Sequence, residues 1–292
     1  MTPGIVLLVW CAELLLVAAL ARSSRGSLLA WLIALAALVL PVFAALPPLP
    51  LTLMALALLW CAIRAADFVF DSPPTGFVQR LLHLVAVIDT RTLVRTAPRF
   101  DHRALLGLVV AITLCWAALA AMAAVAAAPP LLHYAVRWTA GALLTLAAFE
   151  VLVAMVELIA AASGWTAPLM HDSPHLARSV GEFWGQRWNL IVSGILRDRA
   201  FLPLARRAPL LGLAASFALS ATIHAYLISF AGGAMAALAW AAFFLVQPLA
   251  ILAERRLGVR RWAPWAGRAW TLAVLGSLSP LMVEPALRVL GV

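Results

Sequence analysis

Lysine is absent from this chain: all 21 of its basic residues are arginine. That excludes any mechanism built on a lysine amine, a Schiff base above all. Charge of either sign is scarce, at 11% of 292 residues against 65% hydrophobic residues, with a mean hydropathy of +1.02. A soluble domain carries roughly 25% charged residues to cover its surface, so a soluble domain is excluded as well. There are three cysteines, Cys11, Cys61 and Cys115, each in a separate apolar stretch. They form no disulfide framework and no zinc spacing, and read as small core residues. Also missing are a Gly-x-Ser-x-Gly elbow, a glycine-rich phosphate loop and a His-x4-Asp pair. Serine hydrolases, nucleotide hydrolases and acyltransferases of the His-x4-Asp type are removed with them.

What the chain has in abundance is apolar runs of about 20 residues, the length that crosses a ~30 Å hydrocarbon layer. The expected fold is all-α: a polytopic membrane protein with about eight transmembrane helices. The spans are expected at roughly 4–21, 28–45, 49–66, 104–127, 137–162, 208–231, 233–253 and 269–290. The first is too long, and its front too poor in charge, for a cleaved signal peptide. No internal repeat is evident, and the even spread of spans predicts a single membrane-embedded domain over 1–292. Arginines in or bordering the loops after spans one, three, five and seven number 2, 6, 6 and 5, leaving Arg137 and Arg288 on the other side. This alternation follows the positive-inside rule. It places the arginine-rich loops in the cytoplasm and both termini in the periplasm, with a bacterial inner membrane as the expected location. The same rule accounts for the net charge of +9 without nucleic acid.

Two cytoplasmic loops are long, about 67–103 and 163–207. In the first, Phe77 to Val85 places apolar residues at helical spacing beside basic ones, which predicts an interfacial helix. In the second, Ser179 followed by Glu182 has the form of a capping box. It predicts a helix over about 180–197 with Trp184, Trp188, Ile191 and Ile195 on one face, and Pro203 and Pro209 breaking the chain beyond it. Loops this apolar are expected to pack back into the bundle as interfacial or re-entrant helices.

Of six histidines, only His224 lies well inside a span. An ionisable group there is a functional candidate by default, and a structural histidine bonding a neighbouring helix is the bland alternative. A neutral imidazole can take a proton from an alcohol as it attacks an acyl carbon. Asn189 is the second candidate, able to donate to an oxyanion or hold the histidine ring, although an asparagine near a helix is more often a cap. Trp184 and Trp188 serve either a site or an interfacial belt. Glu13, Glu150 and Glu157 are expected to be buried acids, the last two on one helix face. His171 and His175 have a zinc-like spacing, but Pro174 stands between them and no third ligand is near. Asp67 and Asp71 form an Asp-x3-Asp pair as in magnesium-dependent prenyltransferases, without the second acidic motif those enzymes need.

The run Ser179-x-x-Glu182-Phe183-Trp184-Gly185-x-Arg187-Trp188-Asn189, followed by His224 in a hydrophobic helix, resembles the wax synthase branch of the membrane-bound O-acyltransferases. Phe243-Phe244-x-x-Gln247 with Glu254, and Arg268-x-Trp270-Thr271 through Ser279-Pro280-Leu281 and Pro285, are similar to later parts of that branch. The resemblance is clearest over about 165–290. It implies a helical enclosure around a tunnel or chamber, in which an acyl-CoA thioester meets an acceptor hydroxyl. By that resemblance His224 removes the hydroxyl proton and Asn189 orients the reactants or stabilises the oxyanion. Coenzyme A leaves directly, with no metal, no permanently bound cofactor and no covalent intermediate. Trp184 and Trp188 would border the donor. Arg187, Arg197 and Arg199 suit its phosphates, on a side where the positive-inside rule puts arginines in any case. The chain is shorter than the family's usual length, which leaves the acceptor open: a fatty alcohol, a sterol-like or isoprenoid hydroxyl, or a sugar. The alternatives are a prenyltransferase using Asp67, Asp71 and magnesium, and a transporter-like protein without catalysis.

Overall fold

A chain this apolar has to close its backbone hydrogen bonds on itself, and it does so almost wholly with helices. The structure is a computed structural model and describes residues 1–71 and 74–292. Among these, six helices are long and apolar enough to cross a membrane: Pro3–Leu20, Ser24–Phe43, Pro48–Phe70, His102–Ala124, Pro130–Ala162 and Pro209–Leu257. A seventh crossing arises if Pro264–Leu278 and Pro280–Leu290, bent by 53°, count as one. The protein is therefore an integral membrane protein, but the number of helices that qualify falls short of eight. The reason is that the expected spans 208–231 and 233–253 lie in one element, Pro209–Leu257.

The residues cluster into two compact units, one of Met1–Leu93 with Tyr226–Ala237, the other of Val94–Ala225 with Leu238–Val292. The first contains α1 (Pro3–Leu20), α2 (Ser24–Ala37), α3 (Pro48–Phe70) and α4 (Phe77–Val85). Proline near the start of α1 and α3 occupies positions whose N–H would lack a helical partner anyway. Ser23 caps α2 by accepting from the Gly26 N–H. The core of this unit is rich in alanine, with Ala18, Ala21, Ala30, Ala34, Ala62 and Ala65 buried together. Lipid gives no hydrophobic drive for helices to associate, so close approach of small residues takes its place. Cys61 lies in this core, whereas Cys11 is exposed, against the expectation of three core cysteines.

Helix α4 is the expected amphipathic helix, but it is turned inside out. Val78, Leu82 and Val85 are exposed, while Arg80, His83 and Leu84 are buried. Arg80 donates to the carbonyl oxygens of Ala18, Pro74 and Thr75. His83 bonds Asp67 through Nε2 at 3.1 Å and Thr90 through Nδ1 at 2.9 Å. With lipid as the solvent, the apolar face turns out and the polar one in.

The second unit begins with β1 (Val94–Arg95), paired antiparallel with β2 (Trp165–Thr166), a two-residue ribbon that is a small departure from an all-α fold. Helices α5 (His102–Ala124) and α6 (Pro130–Ala162) form an antiparallel hairpin. After short helices α7 (Val180–Glu182), α8 (Leu190–Leu196) and α9 (Leu202–Ala205) come α10 (Pro209–Leu257), α11 (Pro264–Leu278) and α12 (Pro280–Leu290). Helix α10 has 49 residues, about 74 Å if straight. It is not straight. Gly233 has φ 75° and ψ −175°, a conformation that in practice only glycine adopts. Phe217 and Phe243, on either side of it, both lie within about 6 Å of the Trp184 ring, at 6.2 and 6.1 Å. Twenty-six residues of straight helix would separate them by about 39 Å. The element is two antiparallel arms that turn back at Gly233.

Helix α12 lies against α6 where Gly141 leaves room: a Cβ there would come 2.3 Å from Val283 Cγ1 and 3.1 Å from Leu287 Cδ1. Gly141→Ala should therefore destabilise the protein by about 1–3 kcal/mol through overpacking. Gly107→Ala, at a helical position with nothing within 4 Å, should be neutral or slightly stabilising. Thermal midpoints of the purified variants in detergent check this, and equal midpoints would refute the close α6–α12 contact.

Candidate active site

The local fold around 179–189 is set by its hydrogen bonds, and it is not the continuous helix expected over 180–197. Ser179 caps α7, accepting from the Glu182 N–H at 2.9 Å. The returning half of the capping box is shifted by one residue, because Glu182 accepts from the Arg178 N–H instead. After one turn the chain passes into a π-helical turn, Phe183–Arg187, closed by Trp188 N–H donating to the Phe183 carbonyl at 2.8 Å. Trp188 is then extended, and Asn189 is left-handed with φ 42° and ψ 64°. Asparagine is among the few non-glycine residues that tolerate this region. Its Oδ1 accepts from the Val192 N–H at 3.2 Å and so caps α8. The break at 188–189, with a new cap beyond it, is why Trp184 and Ile195 do not share one helical face. A second π-helical turn, Arg197–Phe201, holds Arg197 and Arg199, and Pro203 lies inside α9 without interrupting it.

One stripe of the second α10 arm organises this segment. Trp240, Phe244, Gln247, Ile251 and Glu254 recur at spacings of four and three, so they share a face. At the far end Glu254, buried, accepts from the Val180 and Gly181 N–H groups and from Trp270 Nε1. A carboxylate at a helix N-terminus satisfies donors that have no partner inside the helix. In the middle, fully buried Gln247 accepts from Trp184 Nε1 at 3.1 Å and donates to the Phe243 carbonyl. At the near end Phe244 stacks on the His224 ring, with centroids 4.0 Å apart, and Trp240 lies at 5.7 Å. Phe244 also meets Trp184 at 5.6 Å. The structure thus joins Trp184 to His224 through a single shared ring.

His224 Nδ1 lies 2.8 Å from the Ser220 carbonyl oxygen and 3.5 Å from its hydroxyl. A carbonyl only accepts, so Nδ1 carries the hydrogen, and the neutral ring keeps its lone pair on Nε2. Among the described residues Nε2 has no hydrogen-bond partner. Among the described residues Asn189 forms no hydrogen bond with His224, and its amide nitrogen makes none at all.

Arg187 is half-buried and bonded to protein groups. It donates to Glu182 at 2.6 Å and to the Asp172 carbonyl at 2.8 Å, and so fastens the π turn to the preceding loop. Burial works to raise the Glu182 carboxyl, but the Arg178 N–H and the Arg187 guanidinium outweigh it and hold the group below the ordinary carboxylate range. Arg197 is exposed and paired with Asp198 at 3.0 Å, and Arg199 is half-buried.

Of the three acids, Glu13 alone is buried, while Glu150 and Glu157 are partly exposed. Glu150 pairs with His171, in the irregular segment after α6. His171, buried, bonds Glu150 through Nδ1 at 3.1 Å, stacks on Phe149 at 4.5 Å and touches Trp188 at 4.6 Å. The apolar density of residues 163–170 was the available signal that this loop folds inward. His175 lies in a separate short turn, Pro174–Leu176, and no cluster able to hold a metal occurs among the described residues. Asp67 already faces Arg64 at 3.3 Å, His83 at 3.1 Å and Arg91 at 3.6 Å, and Asp71 faces Arg91 at 3.5 Å. Protein cations occupy the carboxylates that a magnesium diphosphate would need.

A sequence model of the membrane bound O-acyl transferase family matches residues 167–246. The chain is 34% identical over 120 residues to probable long-chain-alcohol O-fatty-acyltransferase 7 of Arabidopsis thaliana, covering 37% of this chain and 35% of that protein. It is 31% identical over 133 residues to probable long-chain-alcohol O-fatty-acyltransferase 3 of the same plant, covering 40% and 39%. It is also 35% identical over 88 residues to acyl-CoA–sterol O-acyltransferase 1, likewise from Arabidopsis thaliana, covering 27% and 25%. The chain thus matches between a quarter and two fifths of the length of these relatives.

The Glu182 carboxyl, held below its ordinary value of 4.5, contributes stability that is present above that pH and lost as pH falls through the lower folded value. The thermal midpoint should fall when the protein is taken from about pH 6 to pH 3.5. Glu182→Gln should lower the midpoint at the higher pH and make the acid-induced drop smaller. A drop of unchanged size in that variant would show that the Arg187 fastening contributes nothing.

Proposed function

We propose that the chain is a membrane-bound O-acyltransferase of the wax synthase-like branch, and that it moves an acyl group from acyl-CoA to the hydroxyl of a lipophilic acceptor, with His224 as general base. The observation that carries this reading is the state of His224: Nδ1 is committed to the Ser220 carbonyl, and Nε2 is bare beside Phe244, the ring that also touches Trp184 of the Phe-Trp-Gly-x-Arg-Trp-Asn segment.

In the proposed step Nε2 takes the acceptor's hydroxyl proton as its oxygen attacks the thioester carbonyl carbon. The tetrahedral oxyanion is stabilised by the Asn189 amide, whose nitrogen is uncommitted. Collapse breaks the carbon–sulfur bond, and the proton on His224 passes to the departing thiolate, giving free coenzyme A and an ester. Transfer is direct, without an acyl-enzyme. Long-chain alcohols and sterols are the acceptor classes we favour, since the relatives' names specify these substrates. Trp184 and Trp188 act as walls of the reaction chamber. Arg187 acts as a brace for the turn that presents Asn189, and Arg197 and Arg199 remain the proposed contacts to CoA phosphate.

We further propose eight crossings in one membrane-embedded acyltransferase domain over residues 1–292. Each α10 arm, about 36 Å long, spans the hydrocarbon layer unaided. The arginine-rich loops then face the cytoplasm of a bacterial inner membrane, with both termini outside. That orientation is supported by the arginine distribution.

His224→Ala should abolish ester formation from labelled acyl-CoA and a lipid extract while its elution profile and thermal midpoint stay near wild type. Asn189→Ala should lower kcat by about 10²–10³, the size of a lost oxyanion donor, with little change in the KM for acyl-CoA. Near-normal turnover in the His224 variant would end this reading. An Asn189 effect confined to KM would move that residue from catalysis to donor binding.

A further inference from the structure

Helices α5 and α6 are antiparallel, so the start of one and the end of the other lie at the same end of the hairpin, at the membrane boundary. There β2 and both helices border an open pocket of about 290 Å³, lined by Arg99, Asp101, Arg103, Glu157, Trp165 and Thr166 among others. The lining carries two cations and two anions. Arg99 uses part of its guanidinium on Thr96 and Thr166 and keeps further donors. Asp101 caps α5 with one carboxylate oxygen, leaving the other open. Among the described residues the Arg103 guanidinium and the Glu157 carboxylate make no hydrogen bond and no ion pair.

Arg99 and Arg103 are exposed and Asp101 and Glu157 half-buried, so charges of both signs border one pocket without pairing with each other. A ligand carrying both signs would satisfy them together. A phosphate alone would meet the carboxylates' repulsion, and an ammonium alone the arginines'. Trp165 adds the indole that favours the headgroup level of a bilayer, with Arg95 lying over its ring at 5.9 Å. We propose that this cavity binds the headgroup of a zwitterionic phospholipid with a primary ammonium, of the phosphoethanolamine type. Its phosphate sits between Arg99 and Arg103, and its ammonium donates to Glu157 and to the free oxygen of Asp101. A bound lipid there would fasten the ribbon to the bilayer, and the site stands whether or not acyl transfer is the protein's activity.

The test uses the purified full chain in detergent, titrated separately with phosphatidylethanolamine, phosphatidylglycerol and coenzyme A, and read by native mass spectrometry and thermal midpoint. Phosphatidylethanolamine should be retained saturably and raise the midpoint. Arg103→Gln and Glu157→Gln should each weaken that binding by about tenfold, the size of one charge-assisted contact, without moving the ligand-free midpoint. Equal retention of phosphatidylglycerol, unaffected by Glu157→Gln, would reduce the site to a phosphate contact and overturn the proposal. Displacement of the lipid by coenzyme A would overturn it in favour of a nucleotide site. Retention indifferent to both substitutions would show that the lipid binds elsewhere.

Discussion

The Glu254 carboxylate carries more of this architecture than any other single group. It receives two backbone N–H groups from the start of α7 and the indole N–H of Trp270. An apolar protein in lipid has no water to offer a helix terminus, so a broken helix survives only where protein groups satisfy its ends. Once α7 is pinned at 180–181, the π turn that follows brings Trp184 over Gln247, seven residues back on the same stripe. Three residues further back, Phe244 lies between Trp184 and His224. Backbone anchor, indole and imidazole are thus spaced along one helical face, and the register of a single arm of α10 sets them all.

The same constraint accounts for the bonding of many buried polar groups in both units, although Trp10 Nε1, Arg64 Nε, Trp138 Nε1 and His171 Nε2 have no partner among the described residues. In the first unit the buried Arg80, His83 and Arg64 face carbonyls, a threonine and aspartates, while the apolar side of α4 faces out. Just outside the span, burial would raise the Asp89 carboxyl, but Arg91 outweighs that and keeps it below its ordinary range. In the second unit the loop from 163 to 179 is held by Arg187, by the Glu150–His171 pair and by backbone bonds from Asp172 and Leu190. Irregular backbone packed against spans is tolerated where protein groups close its hydrogen bonds. His224 Nε2 and the Asn189 amide nitrogen likewise make no hydrogen bond among the described residues.

Hydropathy made the spans legible, because twenty consecutive apolar residues have few other uses, and His224 was legible because a histidine among them is conspicuous. The Ser179 cap was equally readable. The break at Trp188–Asn189 was not, since periodicity reports which residues are apolar and is blind to a left-handed residue that starts a new helix. Arg187 looked like an anion contact because a lone sequence does not reveal that Glu182 and Asp172 converge on it. His171 reads only as half of a zinc-like pair with His175, since its local setting, next to Asp172 and close to Pro174, is polar. Its partner Glu150 comes from twenty-one residues earlier, a pairing that no local rule detects. The count of crossings turned on Gly233, where composition marks a boundary but the helical arms meet without a loop.

One property of the site distinguishes it from a carboxylate-backed histidine. The ring of His224 is oriented by a backbone carbonyl, which fixes the tautomer as an aspartate would but brings no negative charge. Among the described residues no carboxylate bonds it. A lasting imidazolium in that aromatic setting, against Phe244 and Trp240, would lack a counter-ion. On the proposed reaction this is tolerable only if the proton is held briefly, arriving as the acceptor oxygen attacks and leaving as the carbon–sulfur bond breaks. A thiolate leaving group meets that demand, since it generates the base that discharges the ring. The same argument makes a hydroxyl a better partner for this site than water held without a thioester: an imidazole without a paired anion is suited to relaying a proton between two reacting groups and poorly suited to storing one.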